Sequence, residues 1–390
     1  MNSEHLKIHI SSFLRRGFTW IYGLCHKMNR QVLFISFGGK QYSDSPRAIS
    51  EELHRLYPGY RIIWALREEK DEYQLVPDYV QIIKSHSLEF YKVLSTSFCV
   101  VSNCEYGRNI YKRKGQFFIQ TWHADVSPKK ILREAAFLTE KADFLCKSVR
   151  DDRITDLCIA GSDFGESVYH TAFGYSGEIL KIGLPRNSRL ELSDLKDILR
   201  LKRTFDIEEN EKVLLYAPTF RDDGSERTKI DLKKVLHVLK IRTGVMWKCL
   251  YRVHTLECNH VLLSDSEKII DVTSYPDMTD ILLITDLLIT DFSSSPADFL
   301  HKDGATILFL SDEKYYQDNC RNLKYDFFNT GFICARNQEE LEKIILTRNK
   351  ADFSESNNKI KKQFGIVSCS KSATIVARRI HEQYQKVMKR

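Results

Sequence analysis

The sequence predicts an α/β protein of two Rossmann-like, doubly wound domains facing each other across a cleft. Three observations carry that expectation. The chain has 390 residues, a length that suits two domains. A strand–loop–helix cycle runs through it twice, with a polar, charge-rich stretch from Asn187 to Arg203 between the two halves. Most strand candidates are continuous apolar runs rather than alternating ones, as expected when helices cover both faces of a parallel sheet.

The first cycle opens with Val32 to Phe37, followed by Gly38-Gly39-Lys40. Ser45 and Pro46 then start a helix, since proline's missing N–H is an orphan at that position anyway. Ile49, Leu53 and Leu56 give this helix its buried stripe. Further strands are expected at Arg61 to Leu66, Val80 to Ile83, Phe98 to Ser102, Phe117 to Trp122, Asp156 to Ala160 and Ile179 to Ile182. Helices at Ser87 to Thr96 and Gly165 to Phe173 fall between several of them. The second cycle has strands at Val213 to Thr219, Trp247 to Val253, Lys268 to Val272, Leu287 to Thr290 and Thr306 to Leu310. Helices at Leu232 to Arg242 and Pro296 to His301 lie between these. A terminal helix from Lys371 to Lys389, with Val376, Ile380, Tyr384 and Val387 on one side, can reach back to the first domain. The expected organisation is 1–30, 31–190, 191–370 and 371–390.

Composition narrows the class. With 43% hydrophobic residues the chain can bury two cores, and 22 Phe with 18 Tyr argue against disorder. Ten cysteines are scattered without a CxxC, which reads as reduced thiols and gives no zinc spacing. A net charge of +7 fits an acidic substrate or an anionic membrane as well as nucleic acid. The basic residues are dispersed, however, and no nucleic-acid-binding motif is present. In residues 1–30, Phe13, Leu14, Phe18, Trp20, Ile21 and Leu24 are interleaved with Arg15, Arg16, Lys27 and Arg30. The arginines interrupt any run of the roughly 18 apolar residues that a membrane span needs. An interfacial amphipathic helix and an ordinary helix packed on the body both fit.

Four stretches carry candidate chemistry. Thr290-Asp291-Phe292-Ser293-Ser294-Ser295-Pro296 ends an apolar strand and opens a helix, offering hydroxyls and free N–H groups to phosphate oxygens. Helix capping alone also accounts for these serines. Thr121-Trp122-His123-Ala124-Asp125 places a histidine at a strand end, where general acid–base work is possible, with Lys129 and Lys130 expected on the next helix. A hydrogen-bonded structural histidine would look the same. Arg252 and His254 end a strand in the second half, so that each side of the cleft has a histidine. Arg221 follows another strand, where a guanidinium can fork onto phosphate or sit in a solvated turn. Phosphate-loop, GxGxxG, GxSxG, HExxH and DxD patterns are absent. The acidic pairs Asp151-Asp152 and Asp222-Asp223 sit among basic residues and read as loop charges. Two histidines without a carboxylate cluster favour metal-free phosphate chemistry, and no cofactor is expected.

In this order the motifs resemble the CDP-glycerol glycerophosphotransferases of bacterial teichoic-acid and capsule polymer synthesis. The matching stretches are Phe34 to Lys40 with Tyr42 to Pro46, Gln120 to His123, Gly183-Leu184-Pro185-Arg186-Asn187, Tyr216 to Asp222, Arg252-x-His254 and Thr290 to Ser294. They span about residues 31–350. The resemblance implies a GT-B-like fold, with residues 31–190 serving the acceptor and 191–370 the nucleotide donor. It implies transfer of glycerol phosphate from CDP-glycerol, or ribitol phosphate from CDP-ribitol, to a hydroxyl of a lipid-linked acceptor, releasing CMP. His123 would be the base on that hydroxyl and His254 would stabilise the donor phosphates or the leaving CMP. Ser293 and Ser294 would bind the diphosphate beside Thr290, Asp291 and Arg252, while Arg221 would neutralise phosphate charge. Lys129, Lys130 and Asp125 would contact acceptor or phosphate. The expected setting is peripheral, on the cytoplasmic face of an anionic membrane.

Two departures stand out. The family usually follows its central histidine with Gly-Thr, whereas Ala124-Asp125 stands here. The nearby carboxylate is expected to alter acceptor contacts or to raise the histidine's pKa. Some polymerising members carry a long amino-terminal extension that this sequence lacks, so single addition and polymerisation both stay open. Oligomeric state is not set by the sequence. The alternatives are a GT-B glycosyltransferase with a nucleotide-sugar donor and a non-catalytic protein that binds envelope precursors.

Overall fold

The computed structural model describes residues 3–67, 75–107, 109–135, 151–221, 230–253, 268–320 and 322–389, with side chains from residue 11 onward. Two all-parallel sheets organise them. The first has seven strands in the order β3-β2-β1-β4-β5-β6-β7. They are β1 (Asn29–Ile35), β2 (Arg61–Leu66), β3 (Val80–Lys84), β4 (Ser97–Ser102), β5 (Phe117–Gln120), β6 (Leu157–Ala160) and β7 (Glu178–Lys181). The second has six strands in the order β10-β9-β8-β11-β12-β13. These are β8 (Lys212–Ala217), β9 (Trp247–Tyr251), β10 (Ile269–Asp271), β11 (Leu287–Thr290), β12 (Ala305–Phe309) and β13 (Ile333–Ala335). In each sheet the order reverses beside the first strand of the cycle, which opens a crevice at the carboxyl ends of β1/β4 and β8/β11.

The expected strands are found with ends moved by at most three residues, as hydrogen-bond boundaries usually differ. The short edge strand β13 was not anticipated; its three residues, two of them half-buried, make too short an apolar run to stand out. The stretch from Asn187 to Arg203, between β7 and β8, is largely helical. Helices Ser188–Leu192 and Leu195–Thr204 occupy it, and Leu190 and Leu201 enter the second core. The helix expected from Gly165 runs Asp163–Val168 and widens into a π-helical turn, Tyr169–Phe173. Asp151 is no loop charge: it is buried and its carboxylate accepts the Tyr106 N–H at 3.0 Å.

The terminal helix Ser372–Met388 returns to the first domain. Val376, Ala377 and Ile380 are buried with Ile49 and Leu53 of helix Asp44–Leu56, and Tyr384 packs edge-on against Phe98. The amino-terminal helix Ser3–Cys25 packs one side on the first domain. Thr19 and Phe18 face helix Leu88–Thr96, and the Arg15 guanidinium lies 5.9 Å from the Tyr91 ring centre. Phe13 (77% exposed), Leu14, Trp20, Ile21 and Leu24 face outward with Arg16 and Lys27. No helix among the described residues is long and apolar enough to cross a membrane.

Candidate active site

Three adjacent strands of the first sheet build one wall. β1 ends at Ile35, β4 at Ser102 and β5 at Gln120, which brings Ser36-Phe37, Asn103 and His123 together. The His123 Nδ1 lies 2.9 Å from the Asn103 carbonyl oxygen. A carbonyl only accepts, so Nδ1 carries the hydrogen and neutral His123 keeps its lone pair on Nε2. Asn103 is itself fixed. Its Oδ1 accepts the Phe37 N–H at 2.8 Å and its Nδ2 donates to Ser36 Oγ at 3.2 Å. The imidazole is held between the Trp122 ring, 4.1 Å away, and the Phe37 ring, 5.4 Å away. Cys104 Sγ is 3.8 Å from Nδ1, and burial pushes its thiol up to about 12, so it adds no charge there.

Burial lowers the pKa of His123, and Arg186 adds to that. The Asn103 carbonyl and the Asp44 carboxylate act against it without reversing the direction. Asp125 takes no part in this balance. Its Oδ1 accepts the Gly161 N–H at 2.8 Å, and a Cβ on Gly165 would collide with the same carboxylate. Asp125 is thus turned into the protein as a tether between β5 and the segment after β6. Burial raises its own pKa, against bonds from Ser162 and Gly161. The expected upward pull of Asp125 on the His123 pKa is therefore corrected: the carboxylate that acts is Asp44.

Lys129 and Lys130 are not helical. Residues 128–130 run antiparallel to 322–324 of the second domain, with Lys130 N–H donating to Asn322 O at 3.0 Å and Lys324 N–H to Pro128 O at 2.7 Å. Val126 joins the second domain's Phe292, Leu308 and Phe364 in one apolar cluster. The chain after His123 thus crosses the cleft and closes one side of it.

The opposite wall is the carboxyl end of β8 and β11. Thr290 Oγ1 donates to the Ala217 carbonyl at 2.6 Å, and Asp291 Oδ1 accepts the N–H groups of Thr219 and Phe292. Arg221 is 2% exposed and committed to two carboxylates, Asp291 at 2.9 Å and Asp312 at 2.9 Å. Its guanidinium lies 5.2 Å from the Phe292 ring centre and 5.0 Å from that of Tyr316. Arg221 thus sits in a buried ion-pair cluster rather than in a solvated turn. Arg252 is similarly engaged, donating to the carbonyls of Val272 and Tyr275 at 3.1 and 2.6 Å. Ser293 and Ser294 are half-buried; Ser293 Oγ accepts the Ser295 N–H at 3.2 Å, a local turn bond, while the Ser294 side chain makes no capping bond. His254 lies outside the described residues, as do Asp222 and Asp223.

The residues that join the two walls were given no role from the sequence, although Asp44, Arg186 and Asn187 lie in stretches that carry the resemblance. Arg186 donates to Asp298 at 2.9 Å and lies 3.3 Å from Asp44, linking the two domains through the Gly-x-Pro-Arg-Asn turn. Asn187 Nδ2 adds a bond to Asp298 at 2.7 Å. Beside them, Arg47 spans the domains to Asp277 and Asp280 at 2.9 and 3.0 Å, and Arg189 also reaches Asp280. Asp44 holds a left-handed backbone, φ 65°, which orients its carboxylate toward this network.

Comparison with known proteins accords with this geometry. A teichoic acid poly(glycerol phosphate) polymerase of Staphylococcus epidermidis is 30% identical over 335 residues, covering 81% of this chain. The chain spans 46% of that relative's length. One from Bacillus spizizenii is 26% identical over 362 residues, covering 90% of both chains. A solved histidine-to-asparagine variant of the wall teichoic acid polymerase TagF, soaked with CDPG, superposes over all of both chains with a TM-score of 0.84 at 25% identity. The fold is therefore GT-B-like, with two facing Rossmann-type domains. Residues 20–382 match the family described as CDP-Glycerol:Poly(glycerophosphate) glycerophosphotransferase, and the chain belongs to that family.

Proposed function

We propose that the protein transfers glycerol phosphate from CDP-glycerol to a hydroxyl of a lipid-linked envelope acceptor in teichoic acid synthesis. The observation that carries this is the bond from His123 Nδ1 to the Asn103 carbonyl, which leaves Nε2 free as a base at the strand ends. Family membership supplies the donor class. The acceptor oxygen attacks the phosphorus that bears glycerol as its proton passes to Nε2. The P–O bond to CMP breaks and CMP leaves with the electron pair. Little covalent chemistry is asked of the protein; positioning and charge stabilisation dominate such transfers.

Ser293 and Ser294 offer hydroxyls to the donor diphosphate, and Thr290 with Asp291 shapes the loop that presents them. Arg221, Arg252 and His254 complete the donor side, Arg221 by fixing the loops through Asp291 and Asp312 and Arg252 by holding the turn after β10 and adding positive charge near the phosphates. Lys129 and Lys130 add positive charge where the chain crosses between the domains. The enzyme works at an anionic membrane surface on the cytoplasmic face, docked through Phe13, Leu14, Trp20, Ile21 and Leu24 with the adjacent arginines. Co-sedimentation with vesicles containing anionic lipid tests this. Replacing Trp20, Ile21 and Leu24 by Ser is expected to abolish it; undiminished binding by that variant would refute the docking face.

The reaction is tested by supplying purified protein with CDP-glycerol or CDP-ribitol and bacterial membrane extract as acceptor. Acceptor-dependent CMP from CDP-glycerol is expected. CMP from CDP-ribitol alone would assign the other polyol, and no CMP from either would reject the reading. Because protonated His123 cannot act as base, its lowered pKa predicts that the acidic limb of the kcat/KM profile lies below about 6.5, the ordinary histidine value. A limb above that value would contradict the assignment.

A further inference from the structure

Three residues from separate segments converge beside the Gly-x-Pro-Arg-Asn turn. Glu191 comes from helix Ser188–Leu192, His301 from the turn Leu300–Lys302, and Cys369 from the loop before the terminal helix. The His301 Nδ1 lies 2.8 Å from Glu191 Oε1 and 3.3 Å from Cys369 Sγ. One ligand atom from each lies within 4.8 Å of the others. The His301 side chain is 5% exposed and Cys369 is fully buried. We propose that Glu191, His301 and Cys369 bind a structural Zn²⁺ that clips the second domain to the segment leading back to the first.

The donor set fits. Carboxylate, imidazole and thiolate are the ordinary zinc ligands, and a mixed set of this softness selects zinc over calcium or magnesium. Ligand bonds of about 2.0 Å for nitrogen and oxygen and about 2.3 Å for sulfur place tetrahedral donors roughly 3.3–3.6 Å apart. The two separations from His301 Nδ1, 2.8 and 3.3 Å, need to widen by no more than about half an ångström to accept the ion. Glu191 is already oriented from outside: it accepts from Ser368 Oγ at 2.7 Å and from the N–H groups of Cys369 and Ser370 at 3.0 and 2.8 Å. Such outer bonds fix a ligating carboxylate. On binding, the Cys369 thiol proton is released to solvent, the imidazole proton shifts to Nε2, and water takes the fourth position. No spacing motif could disclose this site, because 110 and 68 residues separate its members.

Tag-free protein, stripped with chelator and then titrated with Co²⁺, tests the site without any variant. A thiolate-to-cobalt charge-transfer band saturating at one ion per chain is expected, and zinc should abolish it. Cys369→Ser should lose the band and weaken zinc binding by more than about tenfold, the scale on which even an outer partner matters. Folded wild-type protein without a thiolate band would overturn the proposal. So would a Cys369→Ser variant that binds zinc as tightly as wild type, since the metal would then sit elsewhere.

Discussion

Replacing His123 by Ala is expected to lower acceptor-dependent CMP release by about 10²- to 10⁴-fold, the range that a positioned general base contributes. The fall should lie in kcat rather than in KM for the donor, because the diphosphate is held by the opposite wall. The folded state should change little: apart from stacking on Trp122 and Phe37, the side chain's one strong polar bond goes to a carbonyl. Steady-state kinetics paired with thermal unfolding separates the two effects. Undiminished turnover would remove His123 from the chemistry, and collapse of the fold would return it to a structural role. A His123→Gln variant, which can keep a bond to the Asn103 carbonyl but has no basic nitrogen, should be equally inactive.

The second large effect is on stability. Arg186 is 5% exposed and serves Asp44 in the first domain and Asp298 in the second. Arg186→Met would keep most of the volume but leave two carboxylates buried without a counter-charge. Breaking a buried pair from one side typically costs about 3–5 kcal/mol. Urea unfolding should show that loss as a lowered midpoint. A loss below about 1 kcal/mol, the worth of an exposed pair, would mean that solvent reaches the network. Asp298 lies in the helix that follows the Ser293-Ser294 loop, so the same variant is expected to raise the donor KM.

Local pattern was enough for twelve of the thirteen strands among the described residues. Continuous apolar runs such as Arg61–Leu66 and Leu287–Thr290 coincide with the strands because burial on both faces admits little else. What escaped was set by distance along the chain. Arg221 reads from its neighbours as a free basic residue after a strand, yet its partner Asp312 is 91 residues away. Arg47 meets Asp277 across 230 residues, so nothing near Pro46 announces an interdomain contact. Lys129 and Lys130 follow Ser127-Pro128, a helix-start pattern, but pairing with 322–324 overrides that local preference. Asp125 misleads in the other direction: only two residues from His123 in sequence, its carboxylate bonds to Gly161 instead. The histidine itself was legible as a strand-end residue; its tautomer was not, because that is set by the Asn103 carbonyl 20 residues away.

Tracing the phosphate next to glycerol tests the proposed reaction most directly. CDP-glycerol radiolabelled at that phosphate would be incubated with purified protein and lipid-linked acceptor, and both products separated. Transfer as proposed places the label in the acceptor and leaves unlabelled CMP in equal amount. Label retained in released CDP, with only the polyol moved, would contradict phosphoryl transfer and favour a glycosyltransferase-like reaction on the same fold.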